Sequence, residues 1–425
     1  MAPYTRRRAL ILCGAAAVLS ACAADERPRT APAKAPQPGR LFADTAAGLT
    51  VVDLASGTVR ATYPGTVAEH RWARLYQLND GHLRTYQAGN GTLIDDLRIA
   101  GPKTRQVKAV STDLAALGPP PGPRSRTTIT LATAGRQRTL DLDGNIEPEA
   151  FSTDGSAMYI LDRLPPQAPD RYRVRVYDLD SGTMGALLTR DKRQIPPGQE
   201  EEMHGQGRQA VLDPVQNILY TLYTHQDAHL HTRDLAAGKD LSPGVHAFVH
   251  VLHLDQRWAY CLDLPAPFGL GPPEAHALAV EDARLYVFDA STGRVILAST
   301  RDLTITRTGL PGRLITPGPA SPPVRGSDSG AWQAGGSGEA FAVAGGGRLF
   351  MAAGRRLLVS DGATLAPQAA WDLPGQARGL AYLEGELLAG AGEQVLRLEP
   401  RTGARLGTMT LPGLRTLRHA ERTAG

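Results

Sequence analysis

The amino-acid sequence predicts an all-β protein in which four-stranded antiparallel blades form a single β-propeller. Short apolar stretches, separated by turn residues, recur along almost the whole chain. The 46 glycines and 32 prolines provide the many tight turns that such a repeat needs. The chain of 425 residues is too long for one ordinary compact core, whereas each blade of a propeller adds its own packed layer.

The clearest repeat unit begins at His276 and ends at Pro311. Its four predicted strands are His276–Val280, Leu285–Phe288, Arg294–Ser299 and Thr304–Thr308. Similar units recur on both sides of it, and their number predicts eight blades. Seven blades remain the alternative, because the second and third units deviate most from the pattern.

The other strands are predicted from the same alternation of apolar runs and turns. The first unit has three strands, 41–44, 49–53 and 58–63, and the second is recognised by 83–93. The third to fifth units have strands at 106–111, 113–117, 127–132 and 136–141, at 149–151, 157–161, 172–177 and 183–188, and at 209–212, 218–224, 247–254 and 258–264. The last two units have strands at 339–344, 348–352, 356–360 and 367–371, and at 377–383, 386–390, 394–398 and 404–410.

The ring is predicted to close by pairing of the N- and C-terminal strands. The first unit lacks one strand, and the end of the chain has one to spare. Leu414–His419 follows a Pro-Gly pair just as Ala377–Leu383 does. We therefore expect Leu414–His419 to pair with Leu41–Asp44 inside one blade. Such a closure removes the open sheet edges of an unclosed ring.

The N-terminal 21 residues have the pattern of an export signal. Arg6, Arg7 and Arg8 precede Ala9–Leu19, an apolar run of 11 residues that is too short to span a bilayer as a helix. Residues 19–22, Leu-Ser-Ala-Cys, resemble the lipobox of bacterial lipoproteins. This resemblance implies that Cys22 becomes a lipid-modified N-terminus, although a plain secretory signal is the alternative. The two export routes, Sec and twin-arginine, both remain open, since residues 5–10 also resemble a twin-arginine signal.

The domain organisation follows from these boundaries. Residues 1–21 are the predicted signal peptide, residues 22–39 an Ala- and Pro-rich tether, and residues 40–425 the propeller. The formal net charge of the chain is +4, and the three arginines of residues 1–21, which contain no acidic residue, contribute +3 of it. The rest of the chain is nearly neutral, which gives no electrostatic reason to expect nucleic-acid binding.

The repeat units resemble YVTN-type and WD-type propeller repeats, in which an Asp-Gly turn precedes a Leu-Tyr-Val strand. Asp154-Gly155 with Met158-Tyr159-Ile160 follows that pattern, as does Leu285-Tyr286-Val287. The chain as a whole is similar to propeller lipoproteins of high-GC bacteria, on the stretches 191–193, 201–203 and 219–223. These resemblances imply the architecture and carry no activity with them.

Long insertions are predicted at one end of the blades. Loops between strands one and two and between strands three and four share one end, which we call the short-loop end. The remaining loops share the opposite end, the long-loop end, and six of them are long: 118–126, 163–171, 190–208, 225–246, 265–275 and 311–338. Because long loops are commonly functional, we expect this end to bind the ligand or partner. Tolerated surface insertion is the alternative interpretation.

Histidines and glutamates are concentrated in two of these loops. The candidate ligand-binding residues are Glu201, Glu202, His204, His225, His229 and His231. Imidazole and carboxylate groups together can bind a divalent metal, but no spacing here matches a known zinc signature. The sequence therefore predicts no metal site and no cofactor, and it leaves any catalytic residue unknown.

The remaining cysteine and its neighbourhood are predicted to be structural. Cys13 lies in the signal and Cys22 carries the lipid, so no internal disulfide is expected. Cys261 lies in an apolar strand and is expected to be a buried, inert thiol. His250 and His253 are expected to pack within a strand. No nucleophile elbow, phosphate loop or Cys–His pairing is apparent.

The leading functional hypothesis is a binding or scaffold module without enzymatic activity. It would act as a lipid-anchored monomer on the outer face of the cell membrane. Its partner would be an envelope protein, a glycan or a small ligand, bound at the long-loop end. The alternative is a propeller enzyme, such as a lactonase, a lyase or a quinoprotein-like enzyme, with a polar or metal site at the channel mouth.

Overall fold

The computed structural model describes residues 38–196, 198–204, 206–225, 247–312 and 339–423. Over these ranges the chain forms eight antiparallel sheets of four strands, with one short extra strand on the fifth sheet. The described helical structure is one short 3₁₀ helix, Pro273–Ala275. No helix in this part of the chain is long and apolar enough to cross a membrane. The predicted propeller of eight blades is confirmed.

The strands are numbered in chain order and grouped by blade. Blade one contains β1 (Gly39–Thr45), β2 (Gly48–Asp53), β3 (Val59–Tyr63) and β33 (Leu414–Arg422). Blade two contains β4 (Thr66–Ala68), β5 (Arg74–Asn79), β6 (His82–Gln87) and β7 (Leu93–Arg98). Blade three contains β8 (Gln106–Val110), β9 (Ala115–Gly118), β10 (Arg126–Thr133) and β11 (Arg136–Asp143). Blade four contains β12 (Asn145–Phe151), β13 (Ala157–Leu164), β14 (Arg171–Asp178) and β15 (Thr183–Ala186).

The second half of the ring repeats this organisation. Blade five contains β17 (Gln206–Asp213), β18 (Ile218–Thr224), β19 (Ala247–His253) and β20 (Trp258–Asp263), together with the short β16 (Leu188–Thr189). Blade six contains β21 (His276–Glu281), β22 (Arg284–Asp289), β23 (Arg294–Ser299) and β24 (Thr304–Gly309). Blade seven contains β25 (Ala340–Gly345), β26 (Arg348–Ala353), β27 (Arg356–Asp361) and β28 (Pro367–Asp372). Blade eight contains β29 (Ala377–Leu383), β30 (Glu386–Ala391), β31 (Gln394–Leu398) and β32 (Arg405–Thr410).

The ring closes as predicted, because the last strand of the chain completes the first blade. β33 pairs antiparallel with β1, and Phe42 lies opposite His419 while Asp44 lies opposite Thr416. β33 also packs against β29, so the closing strand joins blade eight to blade one. Leu414 and Leu417 of β33 are buried in the layer between these two blades.

The hydrophobic core is divided into layers between neighbouring blades. The described buried residues form eight clusters, and each cluster draws its members from two adjacent blades. This division follows from the alternation of side chains along a strand, since both faces of each blade meet a neighbour. The apolar runs that predicted the strands are therefore buried on two sides rather than one.

The tyrosine of the repeat joins one blade to the next. Tyr159 is buried in blade four, and its hydroxyl donates to the carbonyl of Leu254 in blade five at 2.6 Å. Tyr286 of blade six likewise donates to the carbonyl of Gly362 in blade seven at 2.9 Å. A buried phenol needs a hydrogen-bond partner, and these carbonyls supply it. The Leu-Tyr-Val pattern thus corresponds to an interblade hydrogen bond.

Acid is expected to weaken the closing strand through His419. Its ring stacks on Trp72, with ring centroids 5.2 Å apart. Burial lowers the pKa of His419 from 6.5 to about 4, against the opposing charge of Glu69. As the pH falls through this window, the unfolded chain binds a proton that the folded protein does not. The free energy of unfolding should therefore fall by up to about 3 kcal/mol from this residue.

Denaturation by urea at pH 7 and pH 4.5 measures this contribution. His419→Phe retains an aromatic ring against Trp72 and removes the titrating group. The variant should lose less stability than the wild type between the two pH values. Equal losses in the two proteins would contradict the assignment.

Candidate functional site

The strand connections place three of the described long loops at the predicted end. Residues 119–125 and 165–170 each join the second and third strands of a blade, and residues 264–275 join blade five to blade six. Loops 225–246 and 311–338 lie outside the described residues, except for residues 225, 311 and 312.

The loops 118–126 and 163–171 are joined into one surface. The side-chain amide of Asn145 donates to the carbonyls of Gly122 at 3.1 Å and Pro166 at 3.2 Å, one in each loop. The backbone N–H of Arg124 also donates to the Pro166 carbonyl at 3.1 Å. Asn145 is 3% exposed, so this link lies beneath the surface. The two loops therefore present a defined shape on blades three and four.

A group of charged side chains lies beneath these loops. Arg163 Nη2 is 2.7 Å from Glu147, and Lys108 Nζ is 3.2 Å from the same carboxylate. Burial and the neighbouring Arg163 lower the pKa of Arg124, while Glu147 opposes that effect. Among these four groups, cations outnumber the single carboxylate. The side chains of Lys108 and Arg163 are only 6% and 10% exposed, so Arg124 is the member of this group best placed to meet an acidic group on a ligand.

The loop 265–275 is held by a buried histidine. The N–H of Gly269 donates to Nε2 of His276 at 3.2 Å, and Nδ1 of the same ring is 3.1 Å from the Pro272 carbonyl. Burial lowers the pKa of His276, with Asp289 opposing, so the ring remains neutral and can accept the first bond. Leu270 in this loop is 54% exposed.

The loop predicted at 190–208 departs from this arrangement. β16 pairs in parallel with β20, which carries the chain from blade four to the outer edge of blade five. Arg190 Nη1 donates to the carbonyl of Asp302 at 2.9 Å, and Lys192 Nζ donates to that of Gln256 at 3.0 Å. Both carbonyls belong to the short-loop end. The prediction that all of 190–208 lies at the long-loop end was therefore wrong.

The chain then returns along the outer edge of blade four through residues 200–203, which we call the return segment. Met203 forms an antiparallel bridge with Tyr172 of β14, and its N–H donates to the Tyr172 carbonyl at 2.8 Å. Met203 is buried in the layer between blades four and five. The return segment thus continues the fourth strand of blade four, which β15 leaves incomplete. The insertion at 187–199 interrupts that strand rather than following it.

The structure separates the two candidate glutamates. Glu202 is half-buried, and its carboxylate is 2.6 Å from Nε of Arg171. Glu201 is buried on the other side of the return segment, where Sγ of Cys261 donates to its Oε1 at 2.7 Å. Successive side chains of extended backbone point in opposite directions, so the two carboxylates cannot serve one site. Glu201 and Glu202, both candidate ligand-binding residues, therefore face different surroundings.

Of the four candidate histidines, the structure describes His204 and His225. His204 is exposed just before β17, and His225 follows β18, with Nδ1 3.0 Å from the Thr224 hydroxyl. Because Gln206 pairs with Thr224, both histidines flank the same end of this strand pair. His229, His231 and the lipid-attachment candidate Cys22 lie outside the described residues.

A cluster that the sequence analysis missed lies between blades four and five. His250 and Cys261 are direct cross-strand partners in β19 and β20, and both are buried as predicted. Ligand atoms of Glu201, His250 and Cys261 all lie within 4.8 Å of one another. The sequence analysis found no Cys–His pairing, whereas the structure places these two residues opposite each other in the hairpin. The hairpin register already pointed to the histidine and the cysteine, but only the return segment brings the glutamate to them.

A cleft of about 560 Å³ lies at the short-loop end of blades two to four. Its lining includes His70, Arg71, Asp113, Arg138 and Asp154. Hydrogen bonds from Ser152 and Ser156 hold the pKa of Asp154 below its usual range, so this carboxylate is ionised and unsuited to general-acid catalysis near neutral pH.

Comparison with known proteins shows what the fold resembles. No protein-family profile matches the chain, and no curated protein sequence matches it. Two structures of AztD from Citrobacter koseri have TM-scores of 0.53 and 0.54 at 10% identity, and they cover 91% and 92% of this chain and 98% and 99% of AztD. The dihydro-heme d1 dehydrogenase NirN in complex with DHE has a TM-score of 0.47 at 12% identity, over 94% of this chain and 78% of NirN. At such identities the AztD likeness shows the fold alone, and the chain is a β-propeller of eight blades over the residues described.

Proposed function

We propose that the protein is a lipid-tethered binding module on the outer face of the cell membrane. It presents the long-loop end of its propeller to another component of the cell envelope. The observation that carries this proposal is the joined surface of loops 118–126 and 163–171, which Asn145 links from below. A pre-ordered surface loses little conformational freedom when it binds, so more of the contact energy is retained as affinity.

Charge and apolar exposure at the same end support a protein partner. Arg124 lies in the loop 118–126, where its guanidinium is positioned to pair with an acidic group on the partner. Leu310, in the connection that leaves blade six, is 67% exposed. Surfaces that bind other proteins commonly combine exposed apolar and charged groups.

The direction of the first strand supports a membrane tether that leaves this surface accessible. β1 begins at Gly39, opposite Arg422 of β33, and this position lies at the short-loop end. The tether of residues 22–39 would therefore leave the propeller at the end opposite the proposed binding surface.

Photo-crosslinking in intact cells tests both parts of the proposal. A photoreactive amino acid replaces Gln167, exposed in the loop 163–171, or Ser181, exposed at the short-loop end of the same blade. We expect a discrete crosslinked partner from position 167 and none from position 181. Cys22→Ala should release the protein from the membrane fraction and reduce the crosslink by at least about tenfold, because a tethered partner loses its effective concentration.

Two results would overturn the proposal. Equal crosslinking from positions 167 and 181 would show that the long-loop end is not the binding surface. Full retention of the Cys22→Ala variant in the membrane fraction would remove the lipid tether from the proposal. Far-ultraviolet circular dichroism of each purified variant controls for folding.

A further inference from the structure

Three metal-ligand side chains meet in the buried layer between blades four and five. His250 and Cys261 face blade four from adjacent strands, and Glu201 of the return segment approaches them from blade four. Their exposed fractions are 9% for Glu201, 3% for His250 and 2% for Cys261. Three groups that can each supply a metal ligand are thus enclosed together in the layer between the two blades.

Ion pairs on both sides of Glu201 orient its carboxylate. Glu200 is 2.8 Å from Nε of Arg175, and Glu202 is 2.6 Å from Nε of Arg171. Both arginines lie on β14, and the strand alternation directs Glu201 to the opposite face. These two ion pairs therefore fix the alternation of side chains along the segment so that Glu201 points toward blade five.

Aromatic side chains form part of the wall around the cluster. The ring of Tyr223 contacts His250 edge-on, with centroids 6.4 Å apart, and stacks on Phe248 at 5.2 Å. Tyr172 lies against Tyr223, and burial together with Tyr223 raises the pKa of Tyr172 well above its usual range, which keeps the phenol neutral. An apolar shell of this kind strengthens the interaction between a cation and anionic ligands.

The ligand types and their charges match a thiophilic divalent cation. Carboxylate, imidazole and thiolate are the three ligand types of protein-bound zinc, with bonds of about 2.0–2.3 Å. A tetrahedral centre with such bonds separates its ligand atoms by about 3.3–3.8 Å, so side-chain movements of about 1 Å bring these three atoms into range. One carboxylate and one thiolate together neutralise a dication. We infer that Glu201, His250 and Cys261 bind Zn²⁺ or a similar cation.

Metal binding at this position requires the loss of one proton. The thiol of Cys261 donates a hydrogen bond to Oε1 of Glu201 at 2.7 Å, so the sulfur carries a proton before the metal binds. When the metal binds, a sulfur–metal bond replaces the S–H bond, the proton passes to solvent, and both anionic groups become ligands. Metal affinity should therefore rise with pH. A nucleophilic role for Cys261 fits less well, since a substrate must reach the sulfur and the sulfur is buried.

Titration with Co²⁺ tests this inference directly. The full chain is purified without a histidine tag, with Cys13 and Cys22 replaced by serine so that Cys261 is the sole thiol. We expect one equivalent of Co²⁺ to produce a near-ultraviolet thiolate-to-cobalt charge-transfer band, which Zn²⁺ then abolishes by displacement. Cys261→Ser should lose the band, and Glu201→Gln should weaken Co²⁺ binding by more than about tenfold.

A matched variant separates ligation from general disruption of the strand. His253→Gln alters the same strand on its opposite face and should leave the cobalt band and its affinity unchanged. A folded wild-type protein without a thiolate band at saturating Co²⁺ would overturn the inference, as would an unchanged band in Cys261→Ser. Rapid alkylation of Cys261 by iodoacetamide, unaffected by Zn²⁺, would favour the nucleophile instead. None of these readouts requires the lipid or a crosslinked partner, so the inference fails or stands separately from the proposed function.

Discussion

Removal of residues 414–425 is expected to abolish cooperative folding of the propeller at 25 °C. The deletion removes β33, which pairs with β1 at seven positions and packs against β29. Leu414 and Leu417 are 5% and 6% exposed, and loss of each buried leucine typically costs about 2–5 kcal/mol. Together with the lost backbone hydrogen bonds, the cost is on the order of 10 kcal/mol. That approaches the whole stability of a typical domain, about 5–15 kcal/mol.

The deletion also changes how the remaining chain behaves. Without β33, the whole of β1 becomes an unpaired edge that can pair with another molecule. We therefore expect size-exclusion chromatography to show aggregation, and circular dichroism to show no sharp thermal transition. Removal of Ala424 and Gly425 alone is the matched control and should leave the melting temperature unchanged. A truncated protein that melts like the wild type would show that the ring does not need its closing strand.

Loss of the Glu386 carboxylate is expected to be the most damaging single substitution at the same seam. Nε and Nη2 of Arg397 both bind this carboxylate, and Nη1 donates to the carbonyl of Leu54 in blade one at 3.0 Å. The side chains of Glu386 and Arg397 are 5% and 10% exposed. Removal of one partner of a buried ion pair leaves the other charge buried without compensation, which typically costs about 3–5 kcal/mol. Glu386→Ala should lower the free energy of unfolding by this amount.

A double variant tests whether the single variants are unstable because a buried charge has lost its partner or only because the Glu386–Arg397 contact is gone. Glu386→Leu combined with Arg397→Met removes both charges and retains much of the side-chain volume, so we expect it to be more stable than either single variant. Urea denaturation of the four proteins measures the coupling. Asp372→Ala is the control, because Asp372 is 92% exposed and 3.8 Å from Arg356, and should cost less than about 1 kcal/mol. A double variant as unstable as the sum of the singles would contradict the explanation.

Several elements of the fold follow from local patterns in the sequence. The predicted strands of blade six match β21 to β24 to within one residue at each end. The predicted pairing of Leu414–His419 with Leu41–Asp44 is likewise confirmed. Both succeed because apolar runs and turn residues repeat with a constant spacing, and each strand pairs with the next one along the chain. Strand order then also determines at which end of a blade each loop emerges.

Other elements depend on contacts that the local pattern does not encode. β4 has only three half-buried residues, which is too short for a recognisable apolar run. The predicted strand 183–188 ends instead at Ala186, because Leu188 and Thr189 pair with Trp258 and Ala259 of the next blade. This parallel pairing joins residues about 70 positions apart. No turn or periodicity near residue 188 indicates it.

The sequence by itself determined the class of fold and the strand that closes the ring, since these depend on repeated local signals, and it favoured eight blades over seven, which the structure confirms. Only the tertiary structure decided that Glu201 faces His250 and Cys261 while Glu202 faces Arg171. The physical reason is that the register with which an extended segment pairs with its neighbouring strand decides which of its side chains point to each face. That register is set here by Met203 pairing with Tyr172, a backbone contact between residues far apart in the sequence that no local pattern indicates.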